Sequence, residues 1–266
     1  MAETPIQLTI AGPRATIRLD RPSRNNAING LFCAQFEAAA AAIVNDTMIK
    51  VAVIEASGDC FSVGGDLKEF LTLGEDPEAA VLQTATALHR GILLLSQSSV
   101  VSIAVVQGVA AGAGLSLVCA ADLAVGARAA RLTAAYTRVG LTPDGGLSYF
   151  LPRIVGMRRA FELMSLNPVL TAEDAFSLGL LSKVVEDGLL AETVEGMVAS
   201  LLATPGTALP RLKALLQASR QAVLGEQLAL EAEEIARSVG SEEARAAMRA
   251  FFQSRSSYMA DLSLPR

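Results

Sequence analysis

Apolar residues in the first half of the chain fall into two rhythms. Short runs rich in β-branched residues at 7–10, 15–19, 50–55, 102–106 and 123–126 read as strands, the first two turned at Ala11-Gly12-Pro13. Alanine- and leucine-rich stretches at 28–44 and 77–96 read as the intervening helices. Strand and helix therefore alternate, which favours an α/β architecture over an all-helical one. From Met157 onward the rhythm is helical, with helices expected at 158–165, 172–178 and 189–202 and three more between Pro210 and Phe252. Thr204-Pro205-Gly206 reads as a hinge, dividing the chain into a core at 1–205 and a helical region at 206–266. Leu209, Leu212, Leu215 and Leu216 give that region a wide apolar face suited to docking on a core or another subunit.

Two strand-to-helix junctions are rich in glycine. GVAAGAGLSLVCAA, at 108–121, follows the strand SIAVV, and its helix is expected over 115–121. CFSVGGDLKEF, at 60–70, follows the strand KVAVIE, and Asp66 opens a short helical turn. A glycine-rich helix start presents free N–H groups and the positive end of the helix dipole without side chains in the way. Such a junction suits a phosphate or a developing oxyanion, and equally suits close packing of helix on strand. Two junctions could each give one N–H to a single oxygen, as a thioester carbonyl becoming an enolate requires.

Composition removes several alternatives. The chain has 266 residues, long enough to bury a substantial core, and 52% are hydrophobic. The mean hydropathy of +0.41 raises the question of a membrane span. The most apolar window, 100–121, is broken by Gln107 and its glycines and closed by Asp122, so it reads as core. MAETPIQLTI lacks a basic stretch ahead of an apolar run, so no signal peptide and a cytoplasmic location are expected. A net charge of −5 argues against a broad nucleic-acid surface. No GxGxxG occurs in the first unit and no GKS or GKT anywhere, which leaves a nucleotide-phosphate loop unsupported. Cys33, Cys60 and Cys119 show no CxxC spacing and read as reduced, buried fillers. One histidine in the whole chain excludes a multi-histidine metal site, so no metal is expected and acid–base work falls mainly on carboxylates.

RPSRNNAING, FSVGGDLKEF, QGVAAGAGLSL, VGLTPDGGLSYFLPRIVGMRRAFEL and AEDAFSLGLLSKVV occur in that order over nearly the whole chain. Together they resemble the crotonase, or enoyl-CoA hydratase/isomerase, superfamily. The resemblance implies a spiral of ββα units forming two roughly perpendicular sheets, a C-terminal helical trimerisation region, and homotrimers or hexamers made of two trimers. It implies an acyl-CoA thioester substrate, with coenzyme A arriving as part of that substrate and no cofactor bound permanently. The oxyanion donors it implies are the backbone amides of Gly65 and Ala113, with alanine in place of the commoner glycine. Asp66 and Leu67 match the loop beside the adenine, and Lys68 is a phosphate partner or a solvated surface lysine. AFFQSR places Phe251 and Arg255 as coenzyme A contacts, with Ser254 where the family has lysine.

The departures bear on the reaction. Family hydratases carry two glutamates where this chain has Ser116 and Tyr136, and hydration needs one group to activate water and another to supply the α-proton. Asp144, in LTPDGG, matches the aspartate of members that shift double bonds, including the isomerase of bacterial phenylacetate breakdown. One carboxylate suffices to move a proton from C2 of a 3-enoyl thioester to C4. By composition alone Asp144 starts a Pro-Asp-Gly-Gly turn. The superfamily's hydrolytic aroyl-CoA dehalogenases also match Asp144 and His89 and the segment RIVGMRRA, though they have tryptophan at Tyr136. There the aspartate attacks the ring and the histidine activates water on the resulting ester. His89 otherwise reads as a capped or half-exposed helix residue, Glu162 as an ion-pair partner, and Glu69 as a carboxylate near the matched blocks. Double-bond isomerisation leads, with dehalogenation or thioester hydrolysis by Asp144 and His89, or acyl-CoA binding without catalysis, as alternatives.

Overall fold

The computed structural model describes residues 4–253 and divides the chain into two compact units, one ending at Leu202 and the other beginning at Ala203. The first unit holds strands β1 (Ile6–Ala11), β2 (Arg14–Leu19), β3 (Val51–Ala56), β4 (Val101–Val106), β5 (Val109–Ala111), β6 (Leu123–Ala127), β7 (Arg131–Thr133), β8 (Leu170–Thr171) and β9 (Lys183–Val185). Its helices are α1 (Gly30–Asn45), α2 (Leu67–Phe70), α3 (Pro77–Gln97), α4 (Ala113–Ala120), α5 (Leu147–Val155), α6 (Met157–Leu166), α7 (Ala172–Ser177) and α8 (Leu190–Leu202). The second unit holds α9 (Ala208–Ala218), α10 (Leu224–Gly240) and α11 (Glu242–Gln253).

Six strands form one sheet in the order β1-β2-β3-β4-β6-β9, and β5-β7-β8 form a second. Only the β1–β2 hairpin is antiparallel in the larger sheet, and the other pairings there are parallel. Parallel strands are covered on both faces, so their sequences read as unbroken apolar runs, and every residue of β4 is buried. Alternate side chains still part cleanly. Ala52, Ile54, Ala104 and Val106 belong to the core that includes residues of α1, α3 and α4. Val51, Val53, Ile103, Val105 and Val125 pack with Leu190, Val194 and Val198 of α8 on the opposite side.

The helices start where the sequence supplies caps. Asn29 accepts from the Phe32 N–H at α1, and Asp76 accepts from the Ala79 N–H at α3, just ahead of Pro77. α1 and α3 then pack against each other, and Gly91 lets them come close, since a Cβ there would lie 2.6 Å from the Phe36 ring. The helix expected over 115–121 begins two residues earlier, at Ala113, and the short strand β5 intervenes between Gly108 and Gly112. This shift matters, because it makes Ala113 the first helical residue.

Candidate active site

The two glycine junctions meet. Gly64, at φ +88°, is packed so closely on the other junction that a Cβ would lie 2.7 Å from the Ala111 carbonyl oxygen and 3.1 Å from the Ala113 nitrogen. Gly114 is pressed equally hard against Ser62, whose carbonyl oxygen would be 2.5 Å from an added Cβ. Only glycine fits at either place, and the contact fixes the adjoining N–H groups relative to each other. Ser62 ties the junctions further: its N–H donates to the Val109 carbonyl at 3.0 Å, and its carbonyl accepts from the Ala111 N–H at 2.9 Å. Ala113 opens α4, so its N–H has no intrahelical acceptor, and neither it nor the Gly65 N–H donates to any acceptor among the described residues. Close packing and free N–H groups therefore coexist here.

The loop between the single 3-10 turn at Thr137–Val139 and α5 carries the carboxylate. Asp144 is held at three points. Its Oδ1 accepts from the Tyr136 hydroxyl at 2.5 Å, its carbonyl accepts from the Ser116 hydroxyl at 2.9 Å, and the N–H of the next residue, Gly145, donates to His89 Nε2 at 3.0 Å. Ser116 Oγ and Tyr136 Oη also lie 2.9 Å apart. Gly145, at φ +58°, sits so close to Ser116 that a Cβ would fall 2.7 Å from the serine Cβ. A side chain longer than serine at 116 would displace this loop. Asp144 itself is half-buried, while Tyr136 and Ser116 are buried. Burial, and then the charge of Asp144, push the Tyr136 phenol above its ordinary range. It stays protonated and acts as a donor.

A second carboxylate lies at the start of α1. Glu69 of α2 accepts from the N–H of Gly30, the first residue of α1, at 3.3 Å, and an added Cβ on Gly30 would lie 3.6 Å from Thr84 Oγ1. Cys33, one turn along α1, is buried, and its thiol is pushed up to about 12 by burial and then by the charges of Asp144 and Glu69. The thiol therefore stays neutral between two carboxylates. Phe70 places its ring edge 3.2 Å from where a Gly65 Cβ would be, lining the approach to that amide. Sequence reasoning weighed Glu69 only for its place near the matched blocks, and it did not find the parts of Ser116 and Phe70. The carboxylate spacing along a helix was no guide, because these residues come from separate elements.

The remaining expected residues divide. The Asp66 side chain turns inward, buried, accepting from the Glu69 N–H at 3.3 Å and pairing with the buried Arg21 guanidinium at 3.1 Å. It shapes the loop, leaving backbone and the exposed Leu67 and Lys68 side chains at the surface. Glu162 pairs with Arg159 at 2.8 Å. All three cysteines are free and buried. Phe251 lies on α11 in the second unit, and Arg255 lies outside the described residues. Among the described residues no cluster of three or more potential metal ligands occurs, and no helix is long and apolar enough to cross a membrane.

Paired free amides beside a carboxylate held on a glycine turn are the parts of an enolate-forming site, and comparisons with known proteins point the same way. The family model for enoyl-CoA hydratase/isomerase matches residues 12–261. The chain is 31% identical over 220 residues to the 1,2-epoxyphenylacetyl-CoA isomerase of Escherichia coli K12, covering 81% of this chain and 83% of that protein. It is 33% identical over 193 residues to 4-chlorobenzoyl coenzyme A dehalogenase-1 of an Arthrobacter species, covering 72% and 70%. A Thermobifida fusca YX protein designated an enoyl-CoA hydratase, solved in complex with acetoacetyl-CoA, superposes with a TM-score of 0.82 at 31% identity, covering 90% of this chain and 96% of that one. With one family model spanning both units and a fold that superposes on that enoyl-CoA hydratase structure, this chain belongs to the enoyl-CoA hydratase/isomerase family.

Proposed function

We propose that the protein is an enoyl-CoA isomerase that moves a double bond along an acyl thioester, using Asp144 as the sole acid–base group. The observation carrying this reading is that Ser116 and Tyr136, which occupy the positions of the hydratase glutamates, both spend their hydroxyls on Asp144. They hold a carboxylate rather than a water. Hydration requires two proton-handling groups on one water and one carbon, and this pair supplies none.

The steps follow from the geometry. The thioester oxygen takes the free N–H groups of Gly65 and Ala113. Asp144 removes a proton from C2 of a 3-enoyl thioester, and the C–H electrons flow onto the thioester oxygen, where two amides offset the charge. The protonated Asp144 then delivers that proton to C4 as the C2=C3 bond forms. No atom is gained or lost. Tyr136, kept as a phenol, steadies the carboxylate through a charge-assisted hydrogen bond. Coenzyme A enters as part of the substrate, with the 66–68 loop beside its adenine, and the active assembly is a homotrimer or a pair of trimers.

Names among similar proteins include an isomerase, a dehalogenase and a hydratase, so chemistry at the site separates the readings. The hydrolytic alternative needs a free imidazole lone pair at His89 to activate water. The Nε2 lone pair is occupied by the Gly145 N–H, which leaves the ring proton on Nδ1. This favours isomerisation. Rates of 3-hexenoyl-CoA isomerisation and crotonyl-CoA hydration, measured side by side, test the proposal: isomerisation should be at least about 100-fold faster, on the scale of a missing acid–base group. Faster hydration, or release of free coenzyme A, would overturn it.

A further inference from the structure

His89 is the only histidine in the chain, and its ring lies against the acid–base loop. The geometry assigns it a positioning role: through Nε2 it accepts the Gly145 N–H and so aims the Asp144 carboxylate. The assignment rests on the isomerase reading of Asp144. It differs from a base that activates water, because a nitrogen accepting a backbone N–H cannot at the same time take a proton from solvent.

Three consecutive residues of α3 anchor this contact. His89 reaches the loop, Arg90 forms a two-point ion pair with Glu37 of α1 at 2.5 and 2.7 Å, and Gly91 admits the Phe36 ring. The turn of α3 that presents the imidazole is thus pinned to α1 by the two residues that follow His89. The loop has no comparable rigidity of its own, since Gly145 and Gly146 both adopt positive φ, +58° and +78°. Two glycines after an aspartate would let its carboxylate wander. Ser116 holds the 144–145 peptide through the Asp144 carbonyl, and His89 holds the same peptide through the Gly145 N–H, so the peptide on the C-terminal side of the Asp144 Cα is fixed at both its polar ends. Gly145 is buried, so its N–H has no ready exchange for water if the imidazole is removed.

The acceptor and not the ring is what matters in this role. Glutamine places Oε1 at about the distance from Cα at which histidine places Nε2, and it accepts hydrogen bonds without being a base. The experiment compares His89→Leu, His89→Gln and Asp144→Asn with the full-length wild type, using 3-enoyl-CoA turnover and amide hydrogen exchange of the peptide containing Gly145. H89L should lower kcat by about 10- to 100-fold, as expected for a misaimed group, with KM within about threefold. Its Gly145 amide should exchange at least about tenfold faster. H89Q should recover most of both losses. D144N should be inactive with Gly145 exchange unchanged.

If H89Q is as poor as H89L while D144N is inactive, the imidazole acts as a base and the positioning role is overturned. If H89L changes neither kcat nor Gly145 exchange, the contact has no consequence and the proposal also falls. Should D144N retain activity while H89L still speeds Gly145 exchange, the hydrogen bond stands and the isomerase reading of Asp144 fails, taking the catalytic purpose of His89 with it.

Discussion

At the residue scale, Asp144 has two explanations in the sequence, turn former and acid–base group, and one substitution separates them. Asp144→Asn keeps size and turn preference, and the Tyr136 phenol can still donate to its side-chain oxygen. The variant should fold, bind acyl-CoA, and lose solvent exchange of the substrate's C2 proton by about 10²–10⁴-fold, read by deuterium incorporation from D2O. Exchange at the wild-type rate would return Asp144 to the role of a turn residue. Tyr136 supports a separate prediction. Its folded-state phenol titrates above the ordinary range of about 10, so an unfolded chain releases this proton first. Stability that is complete below pH about 10 should therefore fall as pH rises beyond it, by up to about 1.4 kcal/mol per pH unit for this group. Buried Cys33 and Cys119, both pushed up to about 12, act in the same direction from their own ordinary values upward. Urea unfolding of wild type and Tyr136→Phe from pH 9 to 11 isolates the tyrosine: the stability gap between them should narrow as pH rises, and a constant gap would show an ordinary phenol.

At the scale of elements, what was legible depended on length and partner. The central strands and α1, α3 and α8 could be read because ten or more residues carry a period, or because a buried parallel strand is apolar throughout. β5, β7, β8 and β9 have two or three residues each, too few for any period, and exist only because other strands hydrogen-bond to them. α5 carries Pro152 within it, a residue that reads as a helix stop. The two glycine junctions were legible as clusters, but that they touch is a property of the fold. Gly114→Ala tests that touch. Its Cβ would meet the Ser62 carbonyl oxygen at 2.5 Å, and because Ser62 is bonded to both β5 residues Val109 and Ala111, relief must open the junction. A loss of about 1–3 kcal/mol in stability is expected from such overpacking, with turnover down about 100-fold as the Ala113 amide moves. Gly196→Ala, within α8 and with nothing within 4 Å of its added Cβ, is the control and should gain about 0.5–1 kcal/mol with unchanged turnover. Equal effects of the two substitutions, measured by denaturation and steady-state rate, would refute the packing argument.

At the scale of the whole molecule, the second unit poses the remaining question, because α10 shows an apolar stripe left exposed among the described residues. Leu224, Leu228, Ile235 and Val239 fall within a narrow arc at 3.6 residues per turn, and each is more than half exposed. A row of large aliphatic side chains on one helix exceeds the scattered exposure that needs no explanation, and self-association of this unit is the occupant consistent with the trimers the family resemblance implies. Sedimentation equilibrium at micromolar concentration should then give about 83 kDa, three times the 27.7 kDa of one chain, or twice that for paired trimers. Ile235→Asp places a charge in the middle of the stripe, where burial without a partner is costly. It should shift the population toward 27.7 kDa, while circular dichroism retains the helical signal. A wild type that sediments as a single chain, or an Ile235→Asp variant that stays trimeric, would show that the stripe is not the contact that assembles the protein.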